Sequence, residues 1–307
     1  MFQMHDQGIT EVGTAAMGSG YTSQIYYDLN GNLEVSSNGI AEWDLCFEST
    51  QGGWLIRLNS SKFMHAGNSN DTLFSSLLNE EDLEMVFDAS SGNIDSTAIG
   101  TWFTETGDSI ISLRNVYLVD RGINELNKAV GFKKVQFDVK GNSYLIRYAD
   151  PDNQNEVIQM IERGENSNRV YFSFENGILE IAPESEQWSL LFSRYTTMLL
   201  TTDGEKYPYL VAGVILNPNG VAAALDTIHD FMEMEINDTI DLELSTRSDL
   251  IGYDWKYYDF DAAIYTIVPE YMYVLRDRDG FYYKLRFIDF YNSTGEKGYP
   301  NFEFIRL

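Results

Sequence analysis

Apolar and polar residues alternate along most of this chain. The alternation is plainest in Lys284-Leu285-Arg286-Phe287-Ile288-Asp289-Phe290, the period-two signature of a strand with one buried face. Aromatic and β-branched runs are punctuated by turn dipeptides. Asn30-Gly31 and Asn176-Gly177 each sit between two such runs, and Asp279-Gly280 separates Tyr271-Met272-Tyr273-Val274-Leu275 from Tyr282-Tyr283-Lys284-Leu285-Arg286-Phe287. Asn-Gly and Asp-Gly accept the positive φ angles of tight turns whose twist matches that of the flanking strands, so these segments predict hairpins. Helical spacing is arguable only around residues 72–83 and 221–234. The pattern predicts an all-β chain of antiparallel sheets with little helix.

The same pattern occurs twice. Tyr26-Tyr27-Asp28-Leu29-Asn30-Gly31, followed by Trp43-Asp44-Leu45-Cys46-Phe47, is answered by Tyr171-Phe172-Ser173-Phe174-Glu175-Asn176-Gly177, followed by Trp188-Ser189-Leu190-Leu191-Phe192. Leu55-Ile56-Arg57-Leu58-Asn59 answers Gly213-Val214-Ile215-Leu216-Asn217, and Ile99-Gly100-Thr101-Trp102 answers Ile251-Gly252-Tyr253-Asp254-Trp255. Val116-Tyr117-Leu118-Val119-Asp120 answers Met272-Tyr273-Val274-Leu275-Arg276, and Gly131 to Phe137 answers Gly280 to Phe287. Five blocks recur in one order at a spacing of about 150 residues, which duplication explains better than chance. The polar stretch Ala149-Asp150-Pro151-Asp152-Asn153-Gln154-Asn155 suits a linker. It predicts two tandem β domains, 1–154 and 155–307.

Composition narrows the partners. With 21 Lys and Arg against 47 Asp and Glu, the net charge is −26. Such a chain lacks the clustered basic residues that displace counter-ions from phosphates, which argues against nucleic acid. The hydrophobic share of 44% is enough for a packed core in each domain. Cys46 is the sole cysteine, so no intrachain disulfide forms, and its apolar neighbours read as core. No apolar run approaches the roughly 20 residues of a membrane-spanning helix.

The ordered blocks resemble the HmuY-like family. Residues 170–307 match best, with Trp188, Arg194-Tyr195, Asn217, Trp255, Asp279-Gly280, Lys284 and Phe287 in family positions, and the earlier copy matches more loosely. The resemblance implies two tandem domains of HmuY-like architecture in a secreted or outer-membrane lipoprotein of Gram-negative anaerobes. It implies a lipid anchor and a leader outside this sequence, and a cell-surface, outer-membrane or secreted location. The founding members are haemophores, which hold haem iron between two axial side chains, His/His or combinations with Met. One axial His is expected a few residues after Trp255. Here the stretch reads Trp255-Lys256-Tyr257-Tyr258-Asp259-Phe260, and the other copy reads Trp102-Phe103-Thr104-Glu105-Thr106-Gly107.

The remaining imidazoles are therefore the candidate haem ligands. His65 lies in Phe63-Met64-His65-Ala66-Gly67, and His229 lies in Thr227-Ile228-His229-Asp230-Phe231-Met232 with a thioether nearby. His5 is terminal. The aromatic cluster Tyr253, Trp255, Tyr257, Tyr258 and Phe260 could stack on a porphyrin or sugar ring, although closing a core is the simpler use. Asp28-Leu29-Asn30-Gly31-Asn32-Leu33-Glu34 superficially resembles a calcium loop but lacks its terminal Glu, so a hairpin turn is expected and no metal site is assigned. No nucleophile elbow, His-Glu-x-x-His or phosphate loop occurs. The sequence predicts a non-enzymatic binding protein that takes haem with non-standard ligation. The alternative is a protein- or glycan-binding module of an outer-membrane assembly that does not bind haem.

Overall fold

The computed structural model describes residues 8–50, 53–107, 109–164 and 168–307. Nearly all regular structure is antiparallel β, with short 3-10 helices at Ser60–Lys62, Glu80–Asp82 and Ile236–Asp241. The two arguable helical stripes do not form α-helices. Within 72–83 the chain makes a turn closed by Ser76 N–H to Leu73 O and the single 3-10 turn Glu80–Asp82, and 221–234 opens with the strand Ala222–Asp226. The Ala-rich run pairs with the strand Met272–Arg276. Cross-strand packing outweighs helix propensity there.

The chain divides into two compact units. The middle unit comprises Ile40–Ile181 and Tyr195–Leu210, and the carboxy-terminal unit comprises Met1–Gly39, Ala182–Arg194 and Val211–Leu307. These are not the contiguous halves 1–154 and 155–307 expected from the linker-like stretch. That stretch instead forms a turn closed by Asp150 N–H to Gln154 O and Asn153 N–H to Asp150 O. It joins the strands Ser143–Ala149 and Val157–Glu162, which pair with each other.

Each unit contains a larger sheet and a smaller one with the same plan. In the middle unit the larger sheet runs Val157–Glu162, Ser143–Ala149, Phe132–Lys140, Val116–Asp120, His65–Asn68, Met85–Val86. Its counterpart runs Glu11–Thr14, Lys297–Arg306, Tyr282–Tyr291, Met272–Arg276, Ala222–Asp226. The smaller sheets run Gly177–Leu179, Arg169–Ser173, Leu45–Glu48, Ile56–Leu58 and Leu33–Gly39, Ser23–Asp28, Leu190–Leu200, Lys206–Leu216. The segment that opens each sequence copy has thus exchanged places. Residues 11–39 complete the sheets of the carboxy-terminal unit, and residues 157–179 complete those of the middle unit.

The exchange is visible in matched contacts. Asp44 N–H donates to Phe172 O at 2.7 Å, and Ser189 N–H donates to Tyr27 O at 2.8 Å. Trp43 meets Tyr171 edge-on at 4.9 Å, and Trp188 meets Tyr26 edge-on at 5.1 Å. A buried Asn ties each arrangement together. Asn59 Nδ2 donates to Ile40 O and Trp43 O, both at 2.8 Å, while Asn217 Nδ2 donates to Ser185 O at 2.8 Å and Trp188 O at 2.7 Å. The Oδ1 atoms accept from Ser61 N–H at 3.0 Å and Asn219 N–H at 2.9 Å. One side chain thereby pairs with three backbone groups in each unit.

The cores are aromatic. Trp102 packs against Phe137, Tyr144 and Trp54 in the middle unit, with its indole N–H donating to Trp54 O at 2.7 Å. Trp255 stacks on Phe287 at 3.8 Å in the other unit, and both Trp are buried. The paired lysines Lys134 and Lys284 are buried too. Lys134 Nζ donates to Ser76 O at 3.0 Å below the Phe74 ring, and Lys284 Nζ donates to Met234 O at 2.7 Å beside the Phe231 ring. Arg147 and Arg286 cover those same rings at 4.1 and 4.3 Å. Burial pulls both lysine pKa values down.

Candidate functional site

The stretch where an axial His was expected forms the hairpin Lys256–Asp259 / Ile264–Ile267, with Tyr258 opposite Tyr265 and Asp259 opposite Ile264. Asp259 shapes the turn: its Oδ1 accepts from Asp261 N–H at 2.9 Å and Ala262 N–H at 3.0 Å. A carboxylate that accepts two adjacent backbone donors pins a tight reversal, which an imidazole could not do in the same way. The aromatic cluster splits between two roles. Trp255 belongs to the core, whereas Tyr257, Tyr258 and Phe260 are exposed, Phe260 by 86%. Tyr258 meets Phe260 and Tyr265 edge-on, each at 5.1 Å. The equivalent hairpin Phe103–Thr106 / Ser109–Ser112 carries only Phe103 as an aromatic.

Beneath the first hairpin residue, Lys256 Nζ is buried and donates to Ala212 O at 2.6 Å. It lies 4.1 Å from the Trp255 ring centre and 4.6 Å from that of Phe290. Burial pushes its pKa down to about 7. The cost of keeping an ammonium away from water exceeds what one carbonyl and two ring faces return.

His229 follows the strand Ala222–Asp226 in the same unit. Buried Asp226 organises the turn, accepting from Ile228 N–H at 2.7 Å and His229 N–H at 3.1 Å through Oδ1. Its other oxygen meets His229 Nδ1 at 2.6 Å. That hydrogen bond raises the imidazole pKa. It also fixes the ring and leaves Nε2 as the outward nitrogen, on a side chain 38% exposed. A carboxylate behind Nδ1 is the arrangement that orients a metal-ligating imidazole and increases its basicity. Exposed Ile228 and Met232 flank it in sequence.

His65 sits in the middle unit, at the start of the strand His65–Asn68. Its Nε2 faces Glu80 Oε1 at 3.6 Å and Asp120 Oδ2 at 3.7 Å, and its ring stacks on Phe87 at 4.7 Å. The two candidate haem ligands therefore belong to different units and different surroundings. Among the described residues each unit contains one His, so neither unit offers a bis-histidine pair of its own. His5 lies outside the described residues. Cys46 is buried in the strand Leu45–Glu48, and burial raises its thiol pKa, in keeping with a core role. The calcium-like loop is a hairpin turn, with Asp28 accepting from Asn30 and Gly31 N–H at 3.2 and 2.8 Å.

Sequence reasoning missed the buried ionic group of the middle unit. Asp44 contacts Lys62 and Arg121, and Oδ2 also accepts from Phe174 N–H at 2.9 Å. Arg121 continues to Glu175. The signal was available in part: Asp44 follows Trp43 where the other copy has Ser189, and an acid replacing a hydroxyl in a core-forming block requires buried cations.

Residues 165–304 match the family model described as HmuY protein, so the chain contains a HmuY-like region, as the sequence resemblance implied. The match begins before the strand Arg169–Ser173, in the segment that the middle unit uses. No curated protein matches significantly. Among solved structures, the apo PinO of Porphyromonas gingivitis is similar at 9% identity and a TM-score of 0.31, covering 97% of this chain and 98% of that one. The apo HmuY analogue (TFO) of Tannerella forsythia is similar at 11% identity and a TM-score of 0.27, covering 98% and 97%. No helix among the described residues is long and apolar enough to cross a membrane.

Proposed function

We propose that this HmuY-like chain is a non-enzymatic binding protein, secreted or held at the cell surface, that takes a haem-class ligand through one imidazole. The assigned ligand is His229 in the carboxy-terminal unit. The observation that carries this reading is the Asp226–His229 pair, which holds the ring by Nδ1 and leaves Nε2 for a metal. Asp259 shapes a turn at the position where a second His was expected, so the ligation differs from bis-histidine. Haem would supply the iron that Nε2 binds. The protein's own contribution is an oriented, basic imidazole and exposed apolar side chains beside it.

Titration with haemin, followed by absorption spectroscopy, tests the reading. A modest Soret change that is lost in His229→Ala, weakened in Asp226→Asn and retained in His65→Ala is expected. A sharp six-coordinate bis-histidine spectrum, or a response unaltered by His229→Ala, would overturn it.

A further inference from the structure

The surroundings of His65 have a chemistry separate from haem. His65 and Asp120 are direct cross-strand partners in the pairing of His65–Asn68 with Val116–Asp120, so their side chains project from one face. Glu80 reaches them from the turn Glu80–Asp82. The chain then returns along His65–Asn68, with Met85 opposite Gly67 and Val86 opposite Ala66. Gly67 permits that return, because a Cβ there would lie 2.8 Å from Leu83 Cβ and from Met85 Sδ. The fold thus brings one nitrogen and two carboxylate donors, from positions 65, 80 and 120, within 4.8 Å of one another.

The donors are also oriented. Asp120 Oδ1 accepts from Gly122 N–H at 2.7 Å, which leaves Oδ2 toward His65. The imidazole is held by the Phe87 stack, with Nδ1 directed to Phe63 O at 3.5 Å. Among the described residues, no Lys or Arg forms an ion pair with Glu80 or Asp120; the ionisable side chain facing each is His65. A cation with bonds of about 2.0–2.2 Å to nitrogen and oxygen separates tetrahedral ligands by roughly 3.4 Å. The observed 3.6 and 3.7 Å to His65 Nε2 need little adjustment, and the remaining edge between the carboxylates, within 4.8 Å, can close by movement of the half-exposed Glu80 side chain. Glu80 also lines an open cleft of about 520 Å³ with Leu78, Glu81, Leu118 and Phe132. A three-ligand site beside a cleft keeps a coordination position for an outside ligand.

We propose that His65, Glu80 and Asp120 form a binding site for a divalent first-row transition ion of the Zn²⁺ class. Two carboxylates balance the charge of the ion, and the nitrogen donor selects it over Ca²⁺ and Mg²⁺. The site lies in the middle unit and outside residues 165–304, so it stands apart from the proposed haem ligation.

The test is calorimetric titration of the chelator-treated full chain with ZnCl₂, with CaCl₂ as a second titrant. One Zn²⁺ per chain is expected, with no comparable Ca²⁺ response. Changes outside the first coordination sphere weaken metal sites by about 10–100-fold, so Glu80→Gln, Asp120→Asn and His65→Ala should each weaken Zn²⁺ by at least about tenfold. Asp82→Asn, on the same turn but outside the three donors, should leave it unchanged. Glu80→Gln alters an exposed side chain and keeps the test independent of folding, which far-ultraviolet circular dichroism of the metal-free variants also checks. Zn²⁺ affinity unchanged in Glu80→Gln and His65→Ala, or no Zn²⁺ binding by a folded wild-type chain, would overturn the site.

Discussion

Truncation at residue 154 should abolish folding of the middle unit, whereas extension to residue 210 should restore it. The expectation follows from the exchanged segment. Cutting at 154 removes the strands Val157–Glu162, Arg169–Ser173 and Gly177–Leu179 from the sheets they complete. It also removes Ile161, Tyr171, Phe172 and Phe174, all of them buried. At about 1.5–3 kcal/mol for each large apolar side chain, these four account for roughly 6–12 kcal/mol of burial. A domain's whole net stability is about 5–15 kcal/mol, so the loss is decisive before the missing strand pairing is considered. Fragments 40–154 and 40–210 can be compared by near-ultraviolet circular dichroism and urea titration. A fixed aromatic signal and a cooperative transition should appear only in the longer one. If 40–154 unfolds cooperatively at the same urea concentration as 40–210, the exchange of segments is wrong.

Further expectations follow from individual side chains. Asn217→Ala leaves the buried Trp188 carbonyl and the Asn219 N–H without their partner, while Ser185 O keeps Asn219 Nδ2 at 3.3 Å, and should cost about 2–5 kcal/mol, measurable by urea unfolding. Asn59→Ala should behave alike if the two positions are equivalent. Asp44→Ala leaves Lys62 in the interior without its carboxylate and Arg121 with Glu175 alone, and should cost about 3–5 kcal/mol, while an effect under about 1 kcal/mol would refute the buried ionic group. Lys256, with a folded pKa of about 7 against the ordinary lysine value of 10.5, binds fewer protons folded than unfolded between those limits. Its contribution therefore makes stability rise from about pH 7 toward pH 10 and is most unfavourable below pH 7. Lys256→Met should flatten that part of the stability–pH curve, and an unchanged slope would refute the assignment.

Much of the architecture was legible along the chain. Alternation and Asn-Gly or Asp-Gly turns revealed strands and hairpins because they encode local backbone geometry and one-sided burial. Recurring blocks revealed Trp43 with Trp188, Asn59 with Asn217 and Lys134 with Lys284, because equivalent buried environments require equivalent side chains. The two weak helical stripes misled for the opposite reason: Ala222–Asp226 has strand partners that no local window contains. A repeat establishes a period of about 150 residues but not the phase at which the chain is divided. Two similar opening segments, 11–39 and 157–179, face two similar sets of strands, and tertiary packing decides which segment completes which set. It paired Tyr26-Tyr27 with Trp188 and Tyr171-Phe172 with Trp43, against their order in sequence. The donors at 65, 80 and 120 are likewise unrelated by any spacing motif. Only the pairing of Asp120 with His65, and the return of the chain past Gly67, assembles them, because coordination depends on distances in space that separation along the chain does not specify.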